Sequence, residues 1–298
     1  MRRMSIVYLI LVNLLVPSIA YAWGPGTHLE IALYALAHAP AALPVIRDLM
    51  RRHPAEFIYG SVSPDITQGK KFAGYKHHCH NWDIGRMILE EAATDTERAA
   101  AYGYLTHLAA DTVAHNYYVP FKMIRSYSTR SLSHIYWEMR FDLHVPDLAW
   151  EKMPQIIRSD FTEFDHLLNR VLKKNLFTFG TNKKIYNTIL NLQKMKRLRG
   201  TLKTYARKSH WTLKEEQVEH YKNLTFKVVE EFLSQFGKAR CLIADPAGLR
   251  KQAYALALRR KMKRTRGITP PVLEKIRKAL LASLFDPNIL LPDLEELV

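Results

Sequence analysis

The stretch that constrains this chain most is residues 102–120, YGYLTHLAADTVAHNYYVP. It sets His107, Asp111 and His115 four residues apart. On an α-helix each such step advances ~400°, so the three side chains drift only ~40° per step along one face, at ~1.5 Å rise per residue. The neighbours Leu105, Leu108, Ala109, Ala110, Val113 and Ala114 are apolar or small, which predicts a buried helix. A buried carboxylate between two imidazoles costs several kcal/mol unless a cation or hydrogen bonds compensate. Two readings follow. The stripe is a ligand set for a borderline metal such as zinc, or its His and Asp side chains hydrogen-bond to neighbours.

The remaining chain favours helices. Only 12 Gly and 14 Pro occur in 298 residues, and strand signals are few, so the chain reads as an all-α multi-helix bundle. A hydrophobic fraction of 48% supports a real core, and 24% charged is ordinary for a soluble protein. A helix is expected from Thr27, with Thr27 and Glu30 as a capping box. The long helix is expected from Asp95 until Tyr117, Tyr118 and Pro120 close it. Gly60, Ser61, Ser63 and Pro64 are expected to break a helix and present Asp65 in a loop. Further helices are expected near 43–53, 83–93, 161–173, 183–199, 213–236, 245–263 and 269–285. Their start signals are Thr212 with Glu215, Asp245-Pro246 and Thr269-Pro270.

The first 22 residues read as a cleaved signal peptide. Arg2 and Arg3 precede a mostly apolar run from Ser5 to Ile19, followed by the small-x-small site Ala20-Tyr21-Ala22. Export to a periplasm or secretion is expected. Cleavage there makes Trp23 the N-terminus, and its free α-amine is then a potential metal ligand once deprotonated. Cys79 and Cys241, the only cysteines, allow at most one bridge.

Charge divides the chain. Residues 23–166 carry 14 Lys and Arg against 17 Asp and Glu, whereas residues 167–298 carry 28 against 11, peaking at Arg259–Arg266. The expected organisation is therefore a signal peptide (1–22), a helical catalytic domain (23–166) and a basic helical region (167–298) that extends or completes that domain. A basic half of this kind suits an anionic membrane surface or nucleic acid, or serves as a solvated face.

Thirteen histidines are present. His28 lies in the first turn of its helix. His77, His78 and His80 crowd into KHHCHNWD with Cys79 among them, and His134 and Glu138 again stand four apart. Histidine, cysteine and carboxylate are the usual zinc donors. Each group alone is weak, but all lie within about 120 residues, N-terminal of the basic half.

In this order the groups resemble the zinc-dependent phospholipase C family, which shares its architecture with the S1/P1-type nucleases. The resemblance covers roughly residues 23–145 and implies three zinc ions in a cleft of a helical domain. Residue by residue, it implies that Trp23 and His28 hold one ion. Asp65, His80 and His107 hold the second, Asp111 bridges these two, and His115, His134 and Glu138 hold the third. His80 is favoured over His77 or His78 because His-Asn-Trp-Asp matches the pattern that follows the family's loop ligand. Ser63-Pro64-Asp65 is similar to the small-Pro-Asp motif of the phospholipase branch. One departure is the gap between Asp111 and His115: here it is Thr-Val-Ala, where the secreted relatives have a longer gap that usually contains Gln-Pro.

The implied chemistry is phosphodiester hydrolysis by metal-activated water, with Asp65 as the residue that orients or deprotonates that water. Three functions remain in view. A phospholipase C would cleave phospholipid headgroups, its basic half docking on anionic lipid. An S1/P1-type nuclease would use the same charge on a phosphate backbone. A non-catalytic zinc-binding surface protein would bind without turnover.

Overall fold

The computed structural model describes residues 23–66, 79–129, 134–172, 179–193, 195–264 and 269–293. Every regular element among them is helical, as the all-α reading expects. In chain order the helices are α1 (Pro25–Ala37), α2 (Pro44–Arg52), α3 (Pro54–Val62), α4 (Trp82–Glu91), α5 (Asp95–Val113), α6 (Val119–Arg125), α7 (His134–Asp142) and α8 (Asp147–Arg158). They continue with α9 (Thr162–Val171), α10 (Phe179–Gln193), α11 (Lys196–Lys208), α12 (Glu215–Gln235), α13 (Leu249–Met262) and α14 (Pro270–Ala282). No helix among the described residues is long and apolar enough to cross a membrane.

The bundle is built around α5. Every residue from 103 to 124 is buried, so the second half of α5 and the segment after it are enclosed on all sides. It starts with a capping box that the sequence reading passed over: Glu97 N donates to Thr94 Oγ1 at 3.2 Å, and Thr94 N donates to Glu97 Oε2 at 3.2 Å. It also does not end at Tyr117–Pro120 as expected. Ala114–Tyr118 forms a π-helical segment and the chain runs directly into α6, with Pro120 at the second position of that helix. A π-bulge has already shifted the backbone ladder there, so the missing Pro N–H does not break the rod.

Helix α3 lies against α5 at backbone contact distance. A Cβ on Gly60 would sit 1.8 Å from Ala100 O, and one on Gly103 would sit 2.0 Å from Phe57 O. Gly60 therefore does not break α3 as its residue type suggested; it lies inside the helix and lets α5 approach. Asp65 follows in a 3₁₀ turn, Ser63–Ile66, that is buried throughout.

Three other expected starts differ. Thr27 and Glu30 form no capping box, because Asp142 caps α1 and Glu30 accepts from Lys222 Nζ at 2.7 Å. Helix α12 begins at Glu215 after Lys214, with no side-chain cap from Thr212. Asp245-Pro246 forms a turn, not a helix start, and α13 begins at Leu249. Thr269-Pro270 does open α14 as expected.

Residues beyond 166 feed the same core as those before it, with Tyr186, Val229, Phe232, Ala255 and Ile276 among them. Part of the basic excess is spent inside the fold. Lys222 reaches Glu30 and the His144 carbonyl, Arg259 donates to the Thr129 carbonyl, and Arg277 Nη1 donates to Tyr117 Oη at 2.9 Å. Cys79 and Cys241 are both buried and no disulfide joins them.

Candidate metal centre

Five buried side chains meet beside the C-terminal half of α5. His28 comes from the first turn of α1, Asp65 from the 3₁₀ turn after α3, His80 from the turn before α4, and His107 and Asp111 from α5 itself. His28 Nε2 lies 3.2 Å from Asp111 Oδ1. On the other oxygen, Asp111 Oδ2 lies 3.0 Å from His80 Nε2 and 3.2 Å from His107 Nε2. His80 and His107 face each other through their Nε2 atoms at 3.0 Å, and Asp65 Oδ1 is 3.4 Å from His80 Nε2. Asp111 thus stands between two groups, one toward His28 and one toward His80, His107 and Asp65.

These contacts are close, but neither nitrogen of His28 and neither oxygen of Asp111 makes a hydrogen bond of acceptable geometry. A buried carboxylate left this way is costly. Metal-ligating atoms that converge in a buried space, with His28 and Asp111 left without aligned hydrogen bonds, fit a cation. Two sets converge in this way: His28, His107 and Asp111, and Asp65, His80 and His107, each with donor atoms within 4.8 Å of one another. Each set offers two imidazoles and a carboxylate, a donor combination that suits zinc.

Local packing selects the donor atoms. His107 Nδ1 donates to the Ser61 carbonyl at 2.8 Å, which leaves Nε2 with the lone pair that faces Asp111. That carbonyl is available because Gly60 and Gly103 bring α3 against α5. Burial, and then His28 alongside, push the His107 pKa down to about 4, so its imidazole is neutral. Neutral imidazole and ionised carboxylate are the forms that bind metal.

Trp23 is fully buried. Its indole N–H donates to the Ala110 carbonyl at 3.2 Å, next to Asp111, and its ring packs on Tyr118 and Phe141 at centroid distances of 4.9 and 4.2 Å. The structure therefore seats Trp23 on the same helix as the donors.

The third expected set is placed differently. His115 is buried in the π-helical segment, and its nearest approach to Asp111 is 3.9 Å, through Nδ1. Glu138 is buried on α7. His134 opens α7, but its side chain lies outside the described residues. Neither His115 nor Glu138 belongs to the two clusters found among the described residues. His77 and His78 also lie outside the described residues, whereas His80 is in the centre.

Sequence reasoning missed Asp142. Its carboxylate accepts from Gly26 N at 3.1 Å, Thr27 N at 2.9 Å and Thr27 Oγ1 at 2.6 Å, pinning the start of α1 that carries His28. Gly24 is needed for this, because a Cβ there would lie 2.3 Å from Asp142 Oδ2. A clue was present: Asp142 continues the four-residue spacing of His134 and Glu138.

A family model described as zinc dependent phospholipase C matches residues 27–217. No curated protein and no solved structure gives a significant match.

Proposed function

The chain belongs to the zinc-dependent phospholipase C family, and from that premise we propose that it cleaves the glycerol–phosphate bond of phospholipids. One observation carries this reading: His28, His80 and His107 close on Asp111, with Asp65 beside them, in a buried cluster where neither nitrogen of His28 and neither oxygen of Asp111 makes a well-aligned hydrogen bond. In this proposal Trp23 and His28 would hold one zinc, Asp65, His80 and His107 would hold a second, and Asp111 would offer one oxygen to each. His115, His134 and Glu138 would hold a third. Bound zinc supplies Lewis acidity, making water acidic enough to attack near neutral pH and offsetting charge on the phosphodiester.

The chain's own residues supply the rest. Asp65 orients the attacking water and takes its proton as the oxygen adds to phosphorus. The glycerol oxygen leaves with the proton that Asp65 took from water, giving diacylglycerol and a phosphorylated headgroup and restoring the carboxylate. The His107 bond to Ser61 and the Asp142 clamp on α1 keep donor atoms aimed inward. We infer as well that residues 1–22 are removed on export to a periplasm or to the medium, exposing the Trp23 amine. The basic surface of residues 167–298 then favours anionic lipid.

The test is metal analysis of protein beginning at Trp23, with parallel hydrolysis of phosphatidylcholine vesicles and single-stranded DNA. Zinc in the preparation and release of phosphocholine are expected. DNA cleavage without lipid cleavage would assign the chain to nuclease chemistry, and full zinc loading without either would make it a binding protein.

A further inference from the structure

The turn between α12 and α13 contributes nothing to the proposed ligand set, yet it grips the helix that carries it. Three successive carbonyls, Ala244, Asp245 and Pro246, each accept from a side chain of the metal-centre region. Trp82 Nε1 donates to Ala244 O at 2.9 Å, Asn116 Nδ2 to Asp245 O at 2.8 Å, and His115 Nδ1 to Pro246 O at 2.5 Å. Trp82 is two residues past His80, and Asn116 is next to His115, so one strip of backbone ties both sides of the centre together.

The turn is built to stay in that shape. The Asp245 carboxylate accepts from Ala247 N and Leu249 N, each at 3.0 Å, closing the turn ahead of α13. Gly248 has φ +59°, and a Cβ there would lie 2.4 Å from His115 O and 2.5 Å from His115 Cβ. Only glycine takes that backbone conformation and also leaves His115 room. These residues lie outside the family-matched stretch 27–217.

We propose that Ala244–Gly248 is a positioning bracket that selects Nε2 of His115 as its metal-binding atom. An imidazole whose Nδ1–H donates to a carbonyl has its lone pair on Nε2, and such a partner fixes both the tautomer and the ring's orientation. Because Nδ1 is also the nitrogen that approaches Asp111 Oδ2, at 3.9 Å, the bracket leaves Nε2 as the atom engaged by neither the turn nor that carboxylate. The inference rests on the reading that His115 holds zinc. Asn116, Trp82 and Gly248 act through His115 and are not catalytic residues.

Zinc binding, read by competition with a chromophoric chelator, tests this separately from activity. His115→Ala should lose one equivalent. Asn116→Leu and Gly248→Ala should keep all sites but weaken one by about tenfold or more, the loss usual when such a supporting partner is removed. Trp82→Phe, which frees the carbonyl farthest from His115, should weaken it least. Zinc affinity equal to the parent's in both Asn116→Leu and Gly248→Ala would overturn the bracket, whatever their melting temperatures. Full zinc in His115→Ala would remove the ligand reading beneath it, and the bracket with it. Should the variants fold poorly, ¹H–¹⁵N spectra of the zinc-loaded parent decide: the Nδ1–H form of His115 is expected, and the Nε2–H form overturns the proposal.

Discussion

The two ends of the polar stripe on α5 are held by different parts of the chain. His107 and Asp111 sit among donors drawn from residues 28 to 80, and the carbonyl that orients His107 comes from Ser61 on the adjacent α3. His115 lies one turn on, where the helix loosens into a π segment, and its supporting carbonyl comes from Pro246, 131 positions away. The first end is made by close helix packing within the acidic half. The second depends on the basic half folding back. Zinc affinity at the first end should therefore depend on the α3–α5 contact, and at the second on the turn before α13.

Asp111→Ala should break the comparison most severely. Its two oxygens face different histidines, Oδ1 toward His28 and Oδ2 toward His80 and His107. The variant is expected to lose more than one equivalent of zinc by metal analysis and all measurable hydrolysis. Loss of a single equivalent would place Asp111 in one group only. An added residue before Trp23 in the processed protein comes next. It should abolish activity while the circular dichroism spectrum and melting temperature stay those of the parent. Full activity in that protein would show that the Trp23 amine is not a ligand.

Gly60→Ala probes the packing behind the first end. Alanine gains about 1 kcal/mol of helix propensity over glycine. Against this, the new methyl would meet the Ala100 carbonyl at 1.8 Å, a backbone atom that cannot rotate away. Overpacking of this kind costs about 1–3 kcal/mol, so net destabilisation is expected in urea melts. Because Ser61 O would move with the helix, zinc affinity should fall as well. Gly200→Ala is the control, since nothing lies within 4 Å of its Cβ, and it should be neutral or slightly stabilising. Equal stability of the two variants would mean that α3 and α5 are not in backbone contact.

What could be read from the sequence follows the same division. The four-residue spacing of His107, Asp111 and His115 is a property of one helix, so it was visible locally. Side chains with distinctive chemistry, such as His28, Asp65 and His80, could be proposed before their positions were known. The supports could not. Ser61 and Pro246 act through carbonyls, which every residue has, and Asp142 caps a helix 115 positions away. Glycine misled for a related reason: Gly60 has the residue type of a helix breaker, yet it serves a close approach visible only once α5 is in place. Thr27 and Glu30 matched a capping box, but Lys222 and Asp142, both distant in sequence, claimed their side chains.

The smallest effect on the site is expected from Lys122→Met, beside the second end. Lys122 is buried among the rings of Tyr118, Trp137 and Tyr221, at 5.9, 5.6 and 5.7 Å, and donates to Gln217 Oε1 at 2.8 Å. Burial, with Arg125 and Arg140 adding to it, lowers its pKa from 10.5 to about 7. Below pH 7 the amine is charged in both folded and unfolded chains, and folding bears the full cost of burying it. Between pH 7 and 10.5 the folded chain has released the proton and the unfolded chain keeps it, so stability rises with pH, by at most ~1.4 kcal/mol per unit. Methionine carries no proton and removes this slope. The stability of the parent minus that of the variant, from urea midpoints at pH 6, 8 and 10, should therefore increase with pH, while zinc stoichiometry stays unchanged. A difference flat across that range would mean that Lys122 keeps its charge when buried. The aromatic rings and Gln217 would then compensate it fully, leaving this part of the second end insensitive to pH.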